Sequence, residues 1–341
     1  MTTVGATQRG AAPPQLIRKP ENLWASAGRR LIRNRAAVIG LVIIAALFVT
    51  YIFADRIAIK PYDVQVSSDN NAVPEWLLKL FPMTRGYARV NNAYPLGADS
   101  LGRDLFSRLV YGTRVSLTVA MVGPLISLLI GVIYGCVSGF FGGRVDNIMM
   151  RFVDVMYAFP GLLLIILMMA FFRSTFGGQQ AAAGSLKALM AGLDAKVGGM
   201  LFIFIGIGMT AWEGMARLAR GQILSLREKE FVEAARAIGA SNWQIMFRHL
   251  LPNAIGPLIV AETLAIPGYI NTETFLSFIG LGVMPPTPSW GAMISDGALA
   301  VRTYPHQVLF PGIALSITMF AFNFLGDGLR DALDPRMRGT S

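Results

Sequence analysis

The chain has 341 residues, of which 54% are hydrophobic and 15% are charged, whereas soluble proteins carry about 25% charged residues. Together with a mean hydropathy of +0.52, this composition excludes a soluble globular protein and predicts a polytopic membrane protein. The net charge is +10, but basic residues of membrane proteins collect in cytoplasmic loops, so no nucleic-acid partner is expected. The single cysteine, Cys136, excludes a disulfide framework and a cysteine metal cluster.

Long apolar runs predict an all-α fold with six transmembrane helices. The first run, residues 36–54, follows a cluster of arginines, which places its N-terminal side in the cytoplasm. Because the number of spans is even, both termini are expected on that side. Small residues in the second run predict close packing inside a bundle. The five later runs cover approximately residues 115–140, 155–172, 200–212, 254–270 and 308–325.

The segments between these runs give the predicted organisation. Residues 1–35 form a cytoplasmic tail that includes an interfacial helix. Residues 55–114, which contain several prolines, form an extracytoplasmic loop. The core follows, with five spans over residues 115–326, and residues 327–341 form the second cytoplasmic tail.

The polar segment at residues 217–253 predicts a helical hairpin on the cytoplasmic face. Gly239 suits the left-handed residue that ends a first helix, and Ser241 with Gln244 forms a capping-box pattern for a second one. Pro252 is expected to end this second helix where the chain re-enters the membrane.

The first helix of this hairpin carries Glu233 and Arg236 beside small alanines, a shape suited to insertion in a groove of another protein. The plain alternative is a solvated loop that only connects two spans.

The hairpin sequence resembles the EAA motif of permease subunits of bacterial or archaeal binding-protein-dependent ABC importers, which lie in the cytoplasmic membrane. That motif is Glu-Ala-Ala, three residues, Gly, nine residues and Ile-x-Leu-Pro, and His249 stands here at the Ile position. In the family the segment docks onto an ATPase subunit and transmits its closure. The resemblance therefore implies ATPase coupling for Glu233, Ala234, Ala235, Arg236, Gly239, Ala240, Ser241, Leu251 and Pro252.

Three further stretches resemble the C-type permease of the dipeptide, oligopeptide and nickel branch: residues 94–117, 272–294 and 323–338. The resemblance implies half of a heterodimeric pore that pairs with a B-type permease, two ABC ATPase subunits and an extracytoplasmic solute-binding protein. It implies no cofactor in this chain, since ATP and magnesium belong to the ATPases. A peptide is the expected substrate, with nickel, opine or glutathione import left open.

Enzymatic activity of the chain itself is not indicated. The sequence contains no P-loop, no HExxH and no G-x-S-x-G motif, and its two histidines are His249 and His306. The alternatives from other classes are a channel or scaffold without energy coupling, and a membrane-embedded enzyme built from scattered residues.

Plain structural roles are expected for several polar residues. Asp99, Arg103, Asp104 and Arg108 predict a salt-bridged cap that holds the outer loop to the second span. Trp290 is expected at the membrane interface, beside a rigid turn fixed by three prolines.

Two intramembrane carboxylates, Glu262 and Glu273, are candidate pathway residues because a charge at membrane depth normally faces a cavity or a partner. Glu273 either attracts the amino terminus of a peptide or is held by hydrogen bonds inside the fold.

Overall fold

The computed structural model describes residues 23–176 and 185–333 and is helical throughout, apart from turns, loops and two isolated β-bridges. Most of the predicted N-terminal tail and the last eight residues of the predicted C-terminal tail lie outside the described residues. The α-helices in chain order are α1 (Leu23–Arg33), α2 (Arg35–Ile52), α3 (Ala54–Ile57), α4 (Glu75–Leu80), α5 (Leu105–Ile126), α6 (Ile133–Phe141), α7 (Gly143–Ala158), α8 (Gly161–Phe176), α9 (Leu186–Lys196), α10 (Leu201–Arg227), α11 (Glu230–Ala237), α12 (Asn242–Gln244), α13 (Leu251–Phe278), α14 (Trp290–Ala298) and α15 (His306–Leu333).

Two very long rods form the centre of the fold. A π-helical stretch, Ser127–Val132, joins α5 to α6, and a second one, Ile245–Leu250, joins α12 to α13. Each rod is therefore a continuous helix of 37 residues. The first rod begins at Leu105, ten residues before the predicted start of the second span, because the Asp104 carboxylate caps the backbone N–H of Ser107 at 2.8 Å.

Within the described ranges, five helical segments are long and apolar enough to cross a membrane, and a bent pair adds a sixth if it forms one span. The bent pair is α7 and α8, which meet at 77°, so the predicted third span over residues 155–172 contains a sharp bend. Pro160 explains the break, because it forces Phe159 into an extended conformation, with ψ 136°.

Close helix contact between α6 and α10 confirms the predicted role of small residues in the second span. A Cβ atom at Gly135 would lie 2.3 Å from the Ala216 backbone oxygen. Gly131 and Gly139 make similarly close approaches one turn away on either side. Because glycine has no side-chain carbon, these positions let the backbones of α6 and α10 pack at short distance.

The segments outside the rods gather at two ends, here called the loop pole and the hairpin pole. The loop pole contains residues 58–104 and 279–305, and Gln307 Nε2 ties the first segment to α15 by donating to the Ala98 oxygen at 3.1 Å. The hairpin pole contains residues 228–241. Because α10 is one continuous helix of 27 residues, it extends well past the apolar run at residues 200–212 and reaches from one pole to the other.

Candidate functional site

The hairpin at residues 228–241 has the predicted geometry. Helix α11 ends before Gly239, which has φ +82°, a conformation that glycine adopts without steric cost. The Ser241 hydroxyl accepts the Gln244 backbone N–H, and the Gln244 side chain accepts the Ser241 backbone N–H, so the capping box is complete. The left-handed glycine and the capping box together fix a sharp turn between α11 and α12.

One face of the hairpin is anchored to the helix bundle. Val232 and Ala235 are buried in one hydrophobic cluster with Ile245, Met246 and Ile223. A fully buried Val or Ile side chain contributes about 1.5–3 kcal/mol. The hairpin is therefore packed firmly onto α10 and the second rod.

The opposite face exposes apolar side chains to solvent. Ile238 is 84% exposed and Trp243 57% exposed, and the Trp243 ring stacks on the ring of Phe247 with centroids 5.5 Å apart. Phe231 and Phe247 are also exposed, at 38% and 41%. We call Phe231, Ile238, Trp243 and Phe247 the hairpin patch. A turn that displays large apolar groups while its other face is buried is typical of a protein-docking surface.

The nine residues implied by the EAA motif divide between these faces. Ala235 is buried, while Ala240 and Leu251 are half-buried. The others are exposed: Glu233, Ala234, Arg236, Gly239, Ser241 and Pro252. Sequence reasoning missed the hairpin patch, although apolar residues flanking an exposed turn glycine are visible in the sequence.

Pro252 does not end the second helix, contrary to the prediction. The chain continues through it as one helix to Phe278. The π-helical stretch just before Pro252 accommodates the ring, and Asn253 Nδ2 donates to the His249 backbone oxygen at 2.7 Å. The segment at residues 217–253 is thus mostly helical, as predicted, but its second helix extends beyond Pro252.

At the loop pole, a buried ion cluster confirms the predicted cap. Asp99 accepts from Arg103 Nε at 2.7 Å and from Arg108 Nη1, and all three side chains are almost fully buried. Asp104 caps α5 and makes no ion pair among the described contacts. Asp296 of α14, which sequence reasoning missed, approaches both arginines at 3.3–3.4 Å.

Trp290 is buried and does not lie at an interface, contrary to the prediction. It is 1% exposed, and its Nε1 donates to the Leu109 backbone oxygen at 3.1 Å. Its ring covers Gly112, where a Cβ would lie 2.8 Å away. Trp290 thus locks α14 onto the first rod.

The two candidate pathway carboxylates both lie inside the fold. Glu262 accepts from Ser127 Oγ at 2.9 Å and from Tyr269 OH at 2.8 Å, which joins the two rods at the first π-helical stretch. Glu273 is 0% exposed and accepts from Ser277 Oγ at 2.6 Å. A pathway role for either residue stays a prediction.

Comparison with known proteins identifies the class. Residues 128–339 match the family model of the binding-protein-dependent transport system inner membrane component. The chain therefore belongs to this family, and it is a multi-pass, non-catalytic permease subunit of an ABC importer in the bacterial inner membrane.

The particular type follows from the N-terminal part and from the relatives. Residues 22–74 match the N-terminal transmembrane domain of oligopeptide transport permease C. The oligopeptide transport system permease protein OppC of Haemophilus influenzae is 40% identical over 93% of this chain and 90% of its own length. The dipeptide transport system permease protein DppC of Bacillus subtilis is 38% identical over 92% of this chain and 85% of its own length. These matches confirm the resemblance to the C-type permease.

A solved structure supports the fold alone. An inward-facing crystal form of the MetNI methionine ABC transporter contains a chain with 19% sequence identity and a TM-score of 0.51. The match covers 66% of this chain and 96% of that chain.

Proposed function

We propose that this permease forms half of a peptide translocation pathway together with a B-type permease, and that two ATPase subunits drive it from the hairpin pole. The observation that carries the coupling role is the hairpin patch, which is solvent-exposed on a turn whose other face is anchored in the core. A docked ATPase would cover these apolar side chains. Movement of the docked subunit would then reach the bundle through the buried face.

The orientation follows from the distribution of basic residues. The hairpin pole carries the exposed side chains of Lys229 and Arg236, and the exposed Arg248 follows it in the second rod. Short segments with Lys and Arg stay in the cytoplasm. We therefore place the hairpin pole and both termini in the cytoplasm. The loop pole then faces outward, where a solute-binding protein delivers substrate.

The substrate class is inferred from the relatives. Oligopeptide and dipeptide permeases match at 38–40% identity over more than nine-tenths of the chain, and a glutathione permease, GsiD of Pectobacterium atrosepticum, matches at 35%. Di- and oligopeptides are thus the favoured substrates, and glutathione is itself a small peptide. Uptake by the reconstituted complex of a panel of short peptides, glutathione and nickel would decide between them.

The docking role of the hairpin patch predicts a loss of subunit binding in Ile238→Asp. Ile238 is 84% exposed, so the change leaves the folded chain intact but places a charge in an apolar interface. Burying an unpaired charge is costly, and we expect at least about tenfold less copurifying ATPase. The measurement is pull-down of the ATPase subunits on the tagged permease pair.

The matched control for this experiment is Leu299→Asp. Leu299 is 97% exposed, but it lies at the loop pole, where no ATPase is expected. Copurification should stay at the wild-type level in this variant. Equal loss in both variants, or no loss in Ile238→Asp, would contradict docking at the hairpin patch.

The burial of Glu273 predicts that its charge does not select substrates. In Glu273→Gln we expect transport of peptides with free amino termini and of N-acetylated peptides to change by the same factor, because Ser277 holds the carboxyl group inside the fold. Uptake of one peptide in both forms is the measurement. A selective loss of the free amino-terminal form would assign Glu273 to the pathway instead.

A further inference from the structure

A cavity of about 420 Å³ lies at the loop pole between the start of the first rod, α14 and the proline-rich turn. One wall is charged and contains Arg103, Arg108 and Asp296. Another wall is apolar and contains Pro285 and Pro286. The ATPase coupling and peptide pathway proposed above do not use this cavity.

The two carboxylates on these arginines are held very differently. Asp99 is anchored, because its Oδ1 also accepts the backbone N–H of Leu101 at 2.9 Å and of Arg103 at 3.0 Å. Asp296 is 45% exposed and approaches Nη2 of each arginine at 3.3–3.4 Å, well beyond the usual length of a charged hydrogen bond. Asp296, the more exposed of the two carboxylates, is thus held more weakly than Asp99.

The arginines themselves are poised to bind a better-placed carboxylate. Their side chains are only 8% and 4% exposed, so water screens them poorly and each charge acts strongly at short range. Arg108 Nε is buried and has no hydrogen-bond partner among the residues that the structure describes. Each guanidinium directs its Nη2 at the same loosely held oxygen, Asp296 Oδ2, so one carboxylate placed closer would accept a charged hydrogen bond from both arginines.

We propose that this cavity is a carboxylate-binding site that receives an acidic side chain of the docked solute-binding protein, with Asp296 as an internal competitor that occupies the site before docking. This inference rests on the proposed function, since it takes the loop pole as the outer face. The incoming carboxylate replaces Asp296 at Nη2 of Arg103 and Arg108, and the prolines support its aliphatic stem. When the binding protein dissociates, Asp296 pairs with Arg103 and Arg108 again, so docking is reversible.

Because Asp296 competes with the incoming carboxylate, removal of its charge is predicted to strengthen docking of the binding protein. Asp296→Asn removes the competing charge and keeps the side-chain size, so the binding protein should dock about fivefold more tightly. Arg103→Lys keeps the charge but loses the planar guanidinium that contacts Asp99 through Nε and Asp296 through Nη2, and docking should weaken about tenfold. The measurement is the Kd of the fluorescently labelled peptide-binding protein of the same transport system for the complete complex in nanodiscs, with and without bound peptide.

Arg302→Gln is the control variant, because Arg302 is an exposed arginine at the same pole outside the cavity, and its Kd should equal that of the wild type. An unchanged or weaker Kd in Asp296→Asn would overturn the carboxylate site while leaving the proposed function standing. If free peptide, and not the binding protein, gains affinity in Asp296→Asn, the carboxylate comes from the substrate and the proposed source is wrong. Absence of docking by the wild-type complex would overturn the proposed function itself.

Discussion

Replacing Asp99 with alanine is expected to destabilise the permease by about 3–5 kcal/mol, the cost of breaking a buried ion pair by removing one partner. Asp99 is 2% exposed and is the anchored counter-charge of Arg103 and Arg108. Without it, among the residues that the structure describes, the two desolvated guanidinium groups keep Asp296, which is distant and half-exposed, as their carboxylate partner. We expect a large fall in the thermal unfolding midpoint of the purified permease pair, followed by fluorescence size-exclusion chromatography after heating.

The control for Asp99→Ala is Asp55→Ala, which removes an exposed ion pair. Asp55 lies 2.7 Å from Arg114, and hydrogen bonds from Arg114 and Tyr111 hold the pKa of Asp55 below its ordinary value. Because exposed ion pairs contribute little to stability, the unfolding midpoint should barely move. Similar midpoints for the two variants would show that the buried cluster does not hold the loop pole together.

Replacing Gly239 with valine is expected to uncouple ATP hydrolysis from transport. Gly239 has φ +82°, and a β-branched residue in that conformation costs about 1–2 kcal/mol. A Cβ at Gly239 would meet no atom within 4 Å, so the strain is confined to the backbone and shifts the turn that presents the hairpin patch. Peptide uptake by proteoliposomes should fall about tenfold, while the permease still inserts and purifies normally.

Gly239→Asn distinguishes strain in the left-handed turn from a loss of transport that any substitution at Gly239 would cause. Asparagine enters the left-handed region more readily than valine, so most of the transport activity should return. Substrate-stimulated ATP hydrolysis, measured in the same vesicles, should fall in Gly239→Val and recover in Gly239→Asn. Normal uptake and normal stimulation in Gly239→Val would show that the turn conformation does not matter for coupling.

Local patterns in the sequence predicted the features that depend on neighbouring residues. The Gly239 turn, the Ser241 capping box and the pairing of Asp99 with Arg103 and Arg108 each involve residues within nine positions of one another. Such contacts are set by local backbone geometry and side-chain reach. They could therefore be located before the fold was known.

The features that sequence reasoning missed depend on contacts between distant segments. Trp290 is buried because it meets Leu109 across 181 positions, and Asp296 joins Arg108 across 188 positions. No local pattern encodes such a pairing. The error at Pro252 had a different cause: proline normally ends a helix, but here the helix continues from the π-helical stretch through Pro252 and also through Pro257 and Pro267.

The continuity of the second rod has a mechanical consequence. A helix of 37 residues is about 55 Å long. Trp243 and Phe247 lie on its first turns, and its last residue, Phe278, comes just before the turn that borders the loop-pole cavity. A tilt of about 5° around the midpoint displaces the two ends by about 2–3 Å in opposite directions. Under the proposed docking, the ATPase and the binding protein would thus contact regions that a single continuous helix connects.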